Sequence, residues 1–278
     1  MISRGLTWCL AVSPETCSLR WMHFPTIVLL GLLATGRELI DAAQAQHGFS
    51  TWKDRTLNAL MQSYDGTTLT RERDIAVQEQ TDPQGDHKTF IEFNSPADVQ
   101  GTLFLHHSPR GKHDDQWLWT PTTRRSRRLA EAQQDENFFG SDLSYRDLEL
   151  IVRIQQWTDA EAKATLEPTE ESIDGHACQV VGLTPVDRAE FPYARYRLWF
   201  ATSDRLLWRV DVHDRDDAVV KRVLFKKYER VGKYSTAMEA DVLYVPAGTH
   251  TVFTMREVQY DLGLPEMTFS LSRLSKGE

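Results

Sequence analysis

Apolar and polar residues alternate one by one through much of this chain, and a period of two commits it to β structure. The cleanest run is Leu206, Trp208, Val210 and Val212, interleaved with Leu207, Arg209, Asp211 and His213. Leu57, Ala59 and Met61 form another, and Asp65-Gly66 supplies the positive φ that closes a hairpin after it. The return strand, Leu69 to Gln80, is strongly polar, which places it at an edge or facing solvent. Asp82-Pro83-Gln84-Gly85 punctuates before a strand from Lys88 to Phe93.

The second half repeats the pattern. Thr165–Ser172 should pair with His176–Thr184 across Asp174-Gly175, and Asp214-Arg215-Asp216-Asp217 turns the 206–213 run into Val219–Arg230. Further strands are expected over Thr249–Tyr260 and Pro265–Leu274, the latter with Met267, Phe269 and Leu271 on one face. Helical spacing is confined to Thr35–Ala45, opened by the capping box Thr35-Gly36-Arg37-Glu38, and to Ser144–Gln156. About eight to eleven strands with short turns predict a mainly β fold, one antiparallel sheet strongly curved or closed into a barrel. An outer-membrane barrel does not fit, because charged residues are scattered over both faces of these strands.

Pro25–Ala34 is uncharged and mostly apolar, too short to span a bilayer and of the length of a signal-peptide core. Residues 1–34 therefore read as a signal peptide or, where Met22 is the start, partly as an upstream extension. Residues 35–278 read as a single β domain outside the cytoplasm. With Cys9 and Cys17 in the leader, Cys178 stands alone and reads as a buried structural thiol.

Catalytic signatures are missing: no G-x-S-x-G, H-E-x-x-H, phosphate loop or C-x-x-C occurs, so no catalytic residue, metal or cofactor is expected. His106-His107 and His113-Asp114-Asp115 are neighbours whose side chains diverge on a strand, and the latter reads as a solvated turn. No carboxylate pair shows apolar flanks that would raise a pKa. A net charge of −8 argues against a general nucleic-acid binder.

The aromatic and basic residues gather between Phe90 and Leu148. Arg124, Arg125, Arg127 and Arg128 admit two readings: an anion, lid or partner contact, or a solvated strand paired with Glu131, Asp135 and Glu136. Eight tryptophans and twelve phenylalanines fill a β core, or line an apolar pocket where a curved sheet stays open; composition does not separate the two.

The same stretch carries a resemblance. Ser95-Pro96-Ala97-Asp98, Gly101-Thr102, Trp117-Leu118-Trp119 with Pro121, Arg124 to Arg128, and Phe139-Gly140-Ser141-Asp142 with Tyr145 and Asp147-Leu148 follow in order. The chain in this respect resembles the LolA-like outer-membrane lipoprotein-sorting proteins, in the version found beside exporters of the resistance–nodulation–division type. It departs from their pattern at Leu103, Thr122-Thr123 and Ser126. The resemblance covers residues 35–274 and implies a half-open antiparallel β-barrel with a few helices across its mouth. It implies a periplasmic monomer that shields lipid or lipoprotein acyl chains in an apolar cavity, touches membranes transiently and delivers its cargo between them. Phe104, Trp117, Trp119, Phe138, Phe139 and Trp208 are the expected cavity residues, and the arginines the expected headgroup, lid or partner contacts. An inner-membrane exporter is the expected protein partner. The alternative is a non-transporting envelope sensor or adaptor that docks on such an exporter.

Overall fold

A computed structural model describes residues 35–187 and 191–276, so the expected leader lies outside the described residues. Helix α1 (Gly36–His47) starts at the expected capping box: Thr35 accepts from the Glu38 amide, and Glu38 accepts from the Thr35 amide. Strands β1 (Asp54–Asp65), β2 (Thr68–Thr81), β3 (His87–Ser95), β4 (Leu103–Ser108), β5 (Asp115–Thr120) and β6 (Arg125–Arg128) follow. Helix α2 (Tyr145–Gln156) opens on a second capping box, Ser144 with Asp147. Then come β7 (Ala162–Ile173), β8 (His176–Pro185), β9 (Arg195–Ala201), β10 (Leu207–His213), β11 (Val219–Val231), β12 (Tyr234–Tyr244) and β13 (Thr249–Tyr260). A 3-10 turn (Glu266–Phe269) and helix α3 (Leu271–Lys276) close the described chain.

All thirteen strands form one antiparallel sheet in the order β6-β5-β4-β3-β2-β1-β13-β12-β11-β10-β9-β8-β7. It curls strongly without closing, with β6 and β7 as its free edges. Two meanders are thus joined at one seam, β1 against β13. The chain adopts the mainly β fold expected from its strands and the unclosed barrel that the resemblance implies, with more strands than the eight to eleven expected.

Four sequence expectations need correction. The polar strand β2 is central, between β1 and β3; its charged stretch Thr68–Glu72 is exposed, whereas Arg73 and Glu79 are buried. Leu206, Trp208, Val210 and Val212 do not share a face. A bulge between Leu207 and Arg209 turns Leu206 and Trp208 toward Cys178 and Trp199, leaving Val210 and Val212 with Tyr196 and Leu198. Pro265–Leu274 is helical rather than a strand, and it buries Phe269 and Leu274 while Met267 is 70% exposed. Asp114 is buried, not in a solvated turn.

Helix α2 packs across both meanders. Its Tyr145 and Leu148 join Phe93, Phe104 and Phe138 over β1–β5, and its Leu150 and Ile154 join Leu39, Trp157 and Tyr196 over β7–β10. Each such apolar side chain contributes about 1.5–3 kcal/mol on burial. On the outer face, Phe90, Leu103, Leu105, Trp117 and Trp119 are covered by Phe269 and Leu274 of the C-terminal segment. The Leu103 departure thus fills that outer layer.

Candidate functional site

The inner face of β1–β5 is laid out in rows. Leu57, Val77, Ile91, Phe104 and Leu118 stand opposite one another across five strands and share a face. Two residues further along each strand, Arg55, Glu79, Thr89, His106 and Gln116 form the next row. Beyond it lie Thr81, His87 and Ser108. One end of the inner surface is therefore apolar and the other polar, although both are buried.

At the apolar end the Phe138-Phe139-Gly140 turn folds over the sheet. Phe139 lies 4.1 Å from Phe93, ring centre to ring centre, and Phe138 lies 5.5 Å from Phe104. Phe139 holds φ 49°, a left-handed conformation costly for a bulky residue, and Gly140 follows at φ 77°. Arg71 Nη1 donates to the Gly140 carbonyl at 3.1 Å; a Cβ at Gly140 would stand 2.1 Å from that nitrogen. Asp142 accepts from the Thr249 and Thr251 hydroxyls at 2.5 and 2.6 Å, tying the turn to β13.

A hydrogen-bond network runs through the polar end. His106 Nε2 lies 2.6 Å from Asp114 Oδ2, and Ser108 donates to Asp114 Oδ1 at 3.0 Å. Burial, reinforced by Asp114, raises the pKa of Glu149 on α2 although Arg153 donates to it at 3.0 Å. Its apolar neighbours Leu148 and Leu150 were the signal in the sequence for such a carboxylate. Burial acts to raise Glu79 too, but Arg55 and His87 outweigh it and hold Glu79 at about 2. Among the described residues no group of three or more ligands gathers as a metal site.

The depressed Glu79 predicts an acid-sensitive fold. Its ordinary value is 4.5, so its stabilisation is complete above that pH and is lost as pH falls toward 2. Glu79→Gln should lose about 3 kcal/mol at pH 7, with the deficit shrinking between pH 5 and 2. Urea unfolding across that range checks it; parallel stability curves would refute it.

Helix α2 is held from both sides. Gln116 Nε2 on β5 donates to the Tyr145 carbonyl at 2.9 Å, and Gln156 donates to the Gly85 carbonyl at 2.7 Å. On the other side Asp147 forms a buried ion pair with Lys221 of β11 and accepts from the Tyr193 hydroxyl at 2.9 Å.

The expected cavity residues separate into three groups. Phe104, Phe138 and Phe139 meet on the inner face; Trp117 and Trp119 lie on the outer face; Trp208 sits in an outer cluster with Trp199, stacked at 3.9 Å on His176. Arg125, Arg127 and Arg128 are exposed on edge strand β6, and Arg124 occupies the preceding turn with φ 51°. In register, Arg125 and Arg127 share the side of Leu118, and Arg128 the side of Trp117. Arg128 pairs with Asp115 and Arg127 donates to Gln133, whereas Asp135 is taken by Arg146. Cys178 is buried and free, its thiol pKa raised by burial.

Two clefts flank this core. One of about 270 Å³ lies on the outer face beside Gln78, Glu92 and Arg273. The other, about 420 Å³, opens at the polar end, between α1, the C-terminus of α2 and the turns after β2 and β4.

No curated protein matches the chain. A family model described as a "-like" uncharacterized protein matches residues 85–276. A DUF1329 family protein from Desulfovibrio piger is 28% identical, with a TM-score of 0.76 over 86% of this chain and 98% of its own. A putative outer membrane lipoprotein-sorting protein domain from Vibrio parahaemolyticus is 23% identical, with a TM-score of 0.75 over the same 86% and 98%. A LolA superfamily protein from Nitrosomonas europaea, 15% identical, shares the fold at a TM-score of 0.62 over 86% of this chain and 98% of its own. The chain belongs to the family of the matching model, and its fold is the one shared by the DUF1329, lipoprotein-sorting-domain and LolA superfamily structures.

Proposed function

We propose that the protein is a periplasmic carrier that shields lipid or lipoprotein acyl chains against its inner face and delivers them between envelope membranes. The observation that carries this reading is the row of Leu57, Val77, Ile91, Phe104 and Leu118 on an unclosed sheet, under a helix tied to the sheet by Gln116 and by the Asp147–Lys221 pair. Each acyl CH₂ kept from water there is worth about 0.8 kcal/mol. Phe93, Phe104 and Phe138 are almost fully buried and occupy that space, so an acyl chain enters as the Phe138-Phe139 turn and α2 lift. The aromatic rings then exchange one apolar contact for another, which keeps loading and release close in free energy. Solvent extracts of the purified protein, analysed by mass spectrometry, should contain about one lipid per chain, and a fluorescent fatty acid should be taken up. Absence of both overturns the proposal.

The adaptor reading draws on the four exposed residues of β6. A photocrosslinker at Arg124 or Arg127 that captures an inner-membrane protein, in a chain that carries no lipid, favours it.

A further inference from the structure

The cleft at the polar end has features that the acyl-binding reading leaves unused. Its volume of about 420 Å³ suits a small polar ligand. Arg37, Asp41, Arg110, Trp157 and Asp159 all border it. Arg37 is already spent on the protein: it donates to Asp159 at 2.9 Å, to the Trp157 carbonyl at 2.8 Å and to the Ala162 carbonyl at 3.1 Å. These bonds fix the segment after α2 and hold Trp157 and Asp159 at the cleft.

The cleft carries both signs of charge. The Arg110 side chain is exposed and its guanidinium has no partner among the described residues; only its backbone amide is bonded, to Asp86 at 2.9 Å. The Asp41 and Asp159 side chains, 61% and 71% exposed at the lip, lie 3.8 and 2.9 Å from Arg37 and share its one positive charge between two carboxylates. Trp157 is 3% exposed, and its indole N–H is a buried donor without a partner. Among the buried polar atoms left unpaired, it is the one whose residue borders this cleft. Such a donor costs about 1–3 kcal/mol until an acceptor reaches it.

Position adds to chemistry. Thr81 belongs both to the last polar row of the inner face and to the wall of the cleft. Trp157 belongs both to the cleft and to the apolar cluster of Leu39, Ala43 and Tyr196. Cleft and apolar interior thus meet at shared residues.

We propose that this cleft receives a zwitterionic phospholipid headgroup of the phosphoethanolamine class. The phosphodiester accepts from Arg110 and from the Trp157 indole, and the ammonium lies between Asp41 and Asp159. The inference rests on the carrier reading for what the headgroup is attached to, and it assigns that carrier a lipid class and an orientation.

The test separates the two. Glycerophosphoethanolamine, which has the headgroup and no acyl chain, is titrated into protein carrying ¹⁵N-labelled tryptophan, with the Trp157 resonance identified in Trp157→Phe. A saturable shift of that indole is expected, weakened about tenfold in Arg110→Ala, an exposed position whose loss leaves the fold intact. Glycerophosphoglycerol, which lacks the ammonium, should bind about threefold more weakly or worse. No shift, or an equal response to glycerophosphoglycerol or inorganic phosphate, overturns the assignment. Fatty-acid uptake is measured on the same samples of the unsubstituted protein. Failed uptake with an intact Trp157 titration sinks the carrier reading and leaves the headgroup site standing.

Discussion

Asp147→Ala should lower the unfolding free energy by about 3–5 kcal/mol, because it leaves Lys221 buried without its counter-charge. Lys221 is 8% exposed and Asp147 6%, so water cannot replace the lost partner. The same carboxylate accepts from the Ser144 amide at 2.6 Å and from the Ser144 hydroxyl at 2.9 Å, so the start of α2 frays as well. Urea denaturation checks the magnitude; a loss under about 1 kcal/mol would show that the pair is not desolvated. Asp147→Asn combined with Lys221→Met, which removes both charges together, should recover most of the loss. Under the carrier proposal, Asp147→Ala also speeds fatty-acid uptake, since α2 then has fewer contacts to break.

Phe104→Ala has an effect of similar size and a different origin. The ring is fully buried and lies 5.7 Å from Tyr145 and 5.5 Å from Phe138, so truncation should cost about 3–5 kcal/mol through lost burial and an incompletely collapsed void. The void would be apolar and dry, and should bind a small aromatic or short alkyl probe that the parent protein excludes. Calorimetric titration with benzene measures this. Full stability in the variant would mean that the inner face is loosely packed.

Helices α1 and α2 and several strands were legible in the sequence because their signals are local. The caps at Thr35 and Ser144 set the starts of α1 and α2, and the alternation over Thr249–Tyr260 coincides with β13. The strands β9 and β12 escaped notice. Trp199 and Leu198 are both buried in β9, because the sheet is covered on both faces there, and a strand covered twice does not alternate. That double covering also hid which face was inner. Trp117 and Trp119 flank Leu118, so they must oppose it, but nothing local shows that the C-terminal segment lies over the tryptophans. At Trp208 one extra residue in a bulge reversed the parity, and a period of two cannot reveal such a slip.

The polar end was missed for another reason. His106 and Asp114 belong to β4 and to the turn that follows it, and only the β4–β5 hairpin brings them within 2.6 Å. Lys221 and Asp147 are brought together by the curl of the whole sheet.

Among the described residues, every strand pairing but one joins strands consecutive in the chain; the exception is β1 with β13. For a chain made N-terminus first, the β1–β6 meander can form early by local closure. The outer edge of β1 then waits, unpaired, for a strand that ends at Tyr260. An open edge of that length is where foreign strands add. The last strand to arrive is the one that seals the sheet, and a chaperone would find its client in that interval.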